Sequence, residues 1–276
     1  MTTTEQTIHP AENIHPIDHL LRADRLPHIL CPGCGIGTVI HGYAHAIAAS
    51  GIAEKQHVCV SGIGCSGRAA GYVNVDSYHT THGRALPFAL GIAVHNPELT
   101  VTVISGDGDL TAIGGNHFIH AARRNVNLNV ICINNFNYGM TGGQVGPTTP
   151  VGAKGTTAPQ GAVEPPFNLP YLAKATGAEF VARWTILHVR EFQDAVLRAM
   201  QKSGFSFIEV LAPCPTSFGR ANKIPDGAHE VEMYRERCLV NNGTPNLEDL
   251  DIDLLDDKKP ITVGNFVDIE RKPFMQ

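Results

Sequence analysis

Asp107 and Asn135 are the polar residues whose placement says most about chemistry. They belong to the run VTVISGDGDLTAIGGNHFIHAARRNVNLNVICINN, Val101 to Asn135. Each follows an apolar stretch that predicts a strand, Val101 to Ile104 and Leu128 to Ile133, with a helix-length segment between them. A β–α–β crossover sets the carboxyl ends of two parallel strands side by side, so the Asp107 carboxylate and the Asn135 amide oxygen converge. Oxygen donors suit Mg²⁺, and the flanking Gly106 and Gly108 let a phosphate approach the backbone. The spacing predicts a Mg²⁺–diphosphate site.

Sulfur is the second candidate chemistry. Of seven cysteines, Cys31 and Cys34 form CPGCG before a helix pattern, Cys65 lies in SGIGCSGR, and Cys214 in APCPTS after a strand. These four stand in loops or at a helix start, where free backbone amides can face a sulfur. Cys59 and Cys132 sit within the strand patterns VCV and ICI, as small core residues do, and Cys238 stands alone in a charged stretch. A redox dithiol at Cys31 and Cys34 lacks the preceding strand of the thioredoxin-like motif. A structural zinc site normally joins two close pairs. An iron–sulfur cluster accepts thiolates from scattered loops. All three readings stay open on spacing alone.

Gly62, Gly64 and Gly67 match G-x-G-x-x-G after the strand pattern HVCVS. A dinucleotide site also requires an acidic residue about 20 positions onward, and the only acid nearby, Asp76, comes too early. His82, Gly83 and Arg84 precede a helix whose N-terminus favours an anion. His79 and His82 lack a third ligand for a metal, and the i,i+4 pair His41 and His45 reads as a helix surface.

These residues need a frame to hold them. Strand patterns at His57 to Ser61, Val101 to Ile104, Leu128 to Ile133, Glu179 to Ala182 and Phe207 to Leu211 alternate with helix patterns. The helices are expected at Ile36 to Ala49, Ala85 to His95, Leu110 to Arg124, Pro170 to Ala175 and Ile186 to Lys202. Such alternation predicts an α/β fold with a doubly wound, mostly parallel sheet whose ligands bind at the carboxyl edge. Residues 1–220 are expected as the ligand-binding domain and 221–276 as an irregular arm packed on a partner subunit. Thr141 to Phe167 is too long for an ordinary connection and is expected as an ordered lid or subunit-contact loop.

With 276 residues, 43% apolar, the chain can bury a sizeable α/β core. A net charge of −5 argues against nucleic acid as a partner. No run is long enough to span a membrane, and the polar start MTTTEQTIHPAENIHP has no secretory pattern, so a cytoplasmic protein is expected.

Together CPGCG, SGIGCSGR, HTTHGRA, GDGDL followed by NN, and NYGMTGGQ resemble the β subunit of 2-oxoacid:ferredoxin oxidoreductases, most closely the 2-oxoglutarate branch. The resemblance spans Cys31 to Cys214. It implies thiamine diphosphate, Mg²⁺ and one 4Fe–4S cluster in a fold of the thiamine diphosphate-binding type. It implies cluster ligands Cys31, Cys34, Cys65 and Cys214. The Mg²⁺ ligands would be Asp107, Asn135 and the backbone carbonyl of Asn137. Ile63, Gly64, Cys65, Ser66 and His82 would line the cofactor, and Gly108, Asp109, Gly139 and Met140 would contact its diphosphate. His82 and Arg68 would serve catalysis. Some members carry lysines at the positions of Arg68 and Gly142, and the second cation is missing here.

The implied reaction is oxidative decarboxylation of 2-oxoglutarate with coenzyme A to succinyl-CoA and CO₂. Electrons would pass through the cluster to ferredoxin. Pyruvate or broad-range 2-oxoacid activity, a non-oxidative thiamine decarboxylase and an iron–sulfur interaction protein are the alternatives. The cofactor-activating glutamate of thiamine enzymes has no matching motif, and in the resembling family it comes from the α subunit. That implies a heteromer.

Overall fold

The structure is a computed structural model that describes residues 15–243 and 245–274. The opening stretch 1–14 lies outside the described residues, and so do the last two residues of the expected arm. In chain order the main elements are α1 (Ile36–Ala49), β1 (His57–Ser61), β2 (Asp76–His79), α2 (Ala85–His95) and β3 (Thr100–Gly106). Next come α3 (Gly115–Arg124), β4 (Leu128–Asn134), the short strands β5 (Asn137–Tyr138) and β6 (Gln144–Val145), α4 (Leu169–Thr176) and β7 (Phe180–Thr185). The chain continues through α5 (Val189–Met200), β8 (Phe205–Leu211), α6 (Gly227–Arg237), β9 (Cys238–Val240) and β10 (Ile261–Asp268).

Eight strands form one sheet in the order β2-β1-β3-β4-β8-β7-β10-β9. From β2 to β7 every pairing is parallel; β10 runs antiparallel to β7. β1, β4, β7 and β8 are buried along their whole length, as strands covered on both faces must be. Alternate residues enter opposite cores. Val58, Val60, Leu128 and Val130 join α2, α3 and α4 on one side. Cys59, Ile131, Ile133 and Val210 join α1 and α5 on the other. Cys59 and Cys132 are completely buried, one in each core, where a small apolar residue fits.

The expected doubly wound parallel sheet is present, and α1 and α2 have their expected bounds. Three regions differ. The helix expected over Leu110 to Arg124 is divided: Asp109–Ile113 make a π-helical turn, and α3 starts only at Gly115. Gly114, at the junction, lies so close to the preceding turn that a Cβ would be 2.4 Å from the Asp109 carbonyl oxygen, so a larger residue would not fit there. β2 is the second addition. Its sequence DSYH is mostly exposed at the sheet edge, so no apolar run marks it.

The third difference lies in the arm. Residues 221–276 hold α6, β9 and β10, and β10 completes the main sheet beside β7. Gly264 adopts a φ of +148°, and the β7–β10 register shifts between Asn265 and Val267. A bulge interrupts the two-residue period that would have announced the strand. The arm is thus more regular than its sequence suggests.

Thr141 to Phe167 is ordered by its own hydrogen bonds. Gly152 N–H donates to the Ala162 carbonyl at 2.7 Å, Ala162 N–H to Ala153 at 2.8 Å, and Phe167 N–H to Pro147 at 2.8 Å. Among the described residues, no helix is long and apolar enough to cross a membrane.

Candidate active site

Four adjacent strands, β1, β3, β4 and β8, deliver their following loops to one edge of the sheet. Those loops carry Cys65, Asp107, Asn135 and Cys214 respectively. Two cavities open there. The first, about 250 Å³, is lined by Ile63 to Ser66, His82, Gly106 to Asp109, Asn135 and Asn137 to Thr141. The second, about 260 Å³, is lined by all four loop cysteines with Arg68 and Cys214's neighbours Pro215 to Ser217. Cys65, Asn135, Gly139 and Met140 belong to both.

Asp107 floors the first cavity at 2% exposure. Burial pushes its carboxyl up to about 7, only partly offset by the Thr148 hydroxyl and by the amides of Asp107 and Gly108. Among the described residues it has no ion-pair partner. The Thr148 hydroxyl lies 2.5 Å from Asp107 Oδ2 and 2.9 Å from Asn134 Oδ1. With a single proton, it donates to Asp107 when that carboxylate is ionised. Asn134 Nδ2 donates to Glu209 Oε1 at 2.7 Å, and Glu209 Oε2 accepts from Arg183 Nε at 2.6 Å. Arg183 Nη1 then donates to the Leu250 carbonyl at 2.7 Å, tying the floor to the C-terminal arm.

Beyond β4 the chain turns sharply. Phe136 holds a left-handed φ of +61°, a conformation costly for a large residue. Its N–H donates to Asn134 Oδ1 at 3.1 Å, and its buried ring packs 5.6 Å from Phe218. The turn delivers Asn135 and Asn137 to the cavity. Asn137 Nδ2 donates to the Asn135 carbonyl at 2.6 Å, so that side chain is engaged in the turn itself. The Asn135 side chain makes no hydrogen bond within the described residues.

Asp109, also buried, works inside the protein. Its Oδ1 accepts from Ile63 N–H at 3.2 Å and Gly83 N–H at 2.8 Å and lies 2.5 Å from His82 Nδ1; Oδ2 accepts from Ser105 at 2.5 Å. Two loops are pinned to the end of β3 by one carboxylate. Against it, His82 Nδ1 carries the proton, which leaves Nε2 as the free nitrogen. The first glycine of the apparent dinucleotide motif serves the same clamp: a Cβ on Gly62 would be 1.8 Å from Asp109 Oδ2.

In the second cavity Cys31 is exposed and Cys34, Cys65 and Cys214 are half-buried. Burial pushes the Cys34 thiol up to about 11, with Cys214, Cys65 and Cys31 adding to the shift. Cys65 is raised by burial and by Cys214 and Cys31, against amide hydrogen bonds from its own N–H and that of Met140. A Cβ on Gly139 would stand 3.3 Å from Cys214 Sγ and 3.7 Å from Cys65 Sγ. The fold gathers these four thiols and leaves the remaining three cysteines elsewhere.

The family model described as thiamine pyrophosphate enzyme, C-terminal TPP binding domain, matches residues 62–210. Subunit KorB of 2-oxoglutarate synthase from Methanocaldococcus jannaschii is 48% identical over 263 residues, covering 95% of this chain and 96% of that protein. The same subunit from Archaeoglobus fulgidus is 53% identical over 246 residues, covering 89% and 86%. A solved structure, 2-oxoglutarate:ferredoxin oxidoreductase from Magnetococcus marinus with 2-oxoglutarate, coenzyme A and succinyl-CoA bound, has a TM-score of 0.82 at 32% identity. It covers 97% of this chain and 89% of that one. The chain belongs to the β subunits of the 2-oxoacid:ferredoxin oxidoreductases, in their 2-oxoglutarate branch.

Most of the residues expected in this β subunit's site come together, with two shifts of role. Asp109 lines the first cavity, but its carboxylate is spent on His82, Gly83, Ile63 and Ser105. An anion would also repel a diphosphate, so only the backbone of Asp109 is suited to that contact. Arg68 and His82 are separated: Arg68 lines the thiol cavity and His82 the first. Three residues escaped the sequence reading. Tyr138 lies over Gly108, where a Cβ would be 2.2 Å from its ring, and Ser105 and Thr148 anchor the two aspartates. The polar run of the long loop carried no sign that Thr148 would return to Asp107.

Proposed function

We propose that this β subunit works with an α subunit in the coenzyme A-dependent oxidative decarboxylation of 2-oxoglutarate, giving succinyl-CoA, CO₂ and two reduced ferredoxins. The observation that carries the reading is the wall of Cys65, Asn135, Gly139 and Met140 shared by an oxygen-lined cavity and a thiol-lined one. The Magnetococcus marinus relative has 2-oxoglutarate, coenzyme A and succinyl-CoA bound.

The donors fit the implied groups. A buried Asp107 without a cationic partner, next to an unengaged Asn135 amide, lacks a positive charge that Mg²⁺ would supply. With its side chain bonded to the turn, Asn137 offers its backbone carbonyl as the third oxygen. Gly108 and Gly139 leave room for phosphates, with Ile63, Gly64, Cys65 and Ser66 along the rest of the cofactor. No three of the four thiols lie within 4.8 Å of one another. Two sulfurs on one zinc are at most about 4.6 Å apart, so the spacing favours a cluster over a single ion. Cys31, Cys34, Cys65 and Cys214 would hold a 4Fe–4S cluster. When bound, thiamine diphosphate supplies an electron sink for loss of CO₂, and the cluster supplies one-electron acceptance.

The chain's own residues then position and exchange protons. Asp109 fixes His82 so that Nε2 can hold or give a proton at the substrate. Ile63 adds an apolar contact. Arg68, on the thiol side, bears on the substrate only through that shared wall. No glutamate lines the first cavity, so the group that activates the aminopyrimidine comes from the α subunit. Exposed Leu239, Val240, Leu255, Ile269 and Phe274 in 221–276 are proposed to meet a partner subunit. A ferredoxin acceptor and thiols that must stay reduced support a cytoplasmic setting.

A substrate panel on the co-purified complex, with ferredoxin as acceptor, tests this. The expected result is coenzyme A-dependent ferredoxin reduction with 2-oxoglutarate preferred over pyruvate, and no turnover by this chain alone. Preference for pyruvate would move the substrate assignment, and full activity of the isolated chain would remove the need for an α-subunit glutamate.

A further inference from the structure

The helix α1 carries an i,i+4 histidine pair, His41 and His45, on one face, and neither residue lines the cavities of the active site. The structure brings a third histidine to them from the segment before α1. The rings of His15 and His41 lie 5.5 Å apart between centroids, those of His15 and His45 5.3 Å, and those of His41 and His45 4.6 Å. One ligand nitrogen from each falls within 4.8 Å of the other two. Among the described residues this is the only group of three or more His, Cys, Asp or Glu side chains so placed.

We propose that His15, His41 and His45 form a site for a borderline divalent transition metal, with Zn²⁺ as the representative ion, that clips the segment at His15 onto α1. Three neutral imidazoles with no carboxylate in the set select Zn²⁺ or its neighbours over Ca²⁺ and Mg²⁺. At a Zn–N distance of about 2.0–2.1 Å, ligating nitrogens stand within about 4 Å of one another, so small side-chain rotations close the site. Among the described residues the one hydrogen bond to the His15 ring comes from the Ile17 amide, 3.4 Å from Nδ1, a long contact that a small ring rotation would give up. No hydrogen bond engages the side chains of His41 or His45 within the described residues. Asp18, whose Oδ2 accepts from His15 N–H at 3.0 Å, adds negative charge beside the trio. Ile17 and Leu20 are buried in the α1-side core, so the ion would fasten a segment already seated there. Three protein ligands leave a fourth position for water.

The test uses the co-purified complex, with the thiol site filled, dialysed against Zn²⁺ and compared with His41→Ala and His45→Ala. Alanine is the best helix former, so both variants should keep α1. The expected result is one zinc per chain in the wild type, absent from both variants, with ferredoxin reduction equal in all three. X-ray absorption at the zinc edge should show a shell of nitrogen and oxygen only, and zinc should raise the wild-type melting temperature but not that of the variants. Equal zinc content in wild type and variants, or a sulfur-containing shell, overturns the site. Binding without a rise in melting temperature overturns the clip. None of these readouts depends on the oxoacid the enzyme prefers.

Discussion

The cavity floored by Asp107 and the one ringed by thiols are nearly equal in volume, at about 250 and 260 Å³. They are assembled in opposite ways. The first is a rigid hydrogen-bonded frame: Asp107 leans on Thr148, Asn134, Glu209 and Arg183 in turn, while Asp109 ties two loops to the end of β3. The thiol cavity has few such supports. Cys214 Sγ contacts Asn137 Oδ1 at 3.8 Å, Ser217 Oγ donates to the Gly139 carbonyl at 3.4 Å, and main-chain amides do the rest, such as Cys34 N–H closing a turn onto Cys31 at 3.0 Å. The difference teaches where order must come from. A site proposed to hold a small hard cation needs its oxygens fixed before binding, whereas thiols proposed as cluster ligands need less of a hydrogen-bonded frame, because bonds to iron would complete their positioning.

The largest effect should separate the two halves outright. Asp107→Ala should weaken thiamine diphosphate binding by more than ~100-fold, beyond the range typical for loss of an outer-shell partner, with the brown colour retained. Calorimetric titration with Mg²⁺ and the cofactor measures it, and loss of the colour would show that the cavities are not separately built. Cys65→Ala strikes the shared wall and should abolish the reduced-cluster EPR signal, while Cys59→Ala, in the core, keeps it. Survival of the signal in Cys65→Ala would break the assignment of that wall.

Thr148→Val removes the hydroxyl behind Asp107 and should cost roughly 10–100-fold in cofactor affinity, with Thr148→Ser restoring it. An unchanged affinity would mean that the frame does not prepare the metal site. The smallest effect lies outside both cavities. His57 is fully buried, with Nε2 3.3 Å from Ser50 Oγ, and burial lowers its pKa from 6.5, outweighing the Ile52 main chain and Glu54, which raise it. The unfolded chain therefore binds this proton first, and stability is lost as pH falls below 6.5. Melting temperature should drop more steeply with acid in the wild type than in His57→Leu. Parallel profiles would show that His57 does not contribute.

Much of the parallel frame was legible because its strands are continuous apolar runs, such as VCV and NVICI, separated by glycine-bearing turns. The four loop cysteines could be sorted from the core thiols for the same reason. What stayed hidden was set by contacts far apart in the chain. Thr148 meets Asp107 from a polar loop, and Asp109 gathers residues from two loops and β3, neither of which leaves a local pattern. The bulge at Asn265 masked β10, and the exposure of β2 masked an edge strand. The pair His41 and His45 read as surface because His15 approaches it from outside the helix.

Gly139 has one more consequence. The side chain it lacks would have touched the sulfurs of Cys214 and Cys65 at once, so at that point only main chain divides the oxygen-lined chamber from the sulfur-lined one. An electron crossing between them would meet a partition one peptide thick. A residue as small as alanine there would crowd that crossing, and the rate at which the two chambers exchange charge would be the first property to register it.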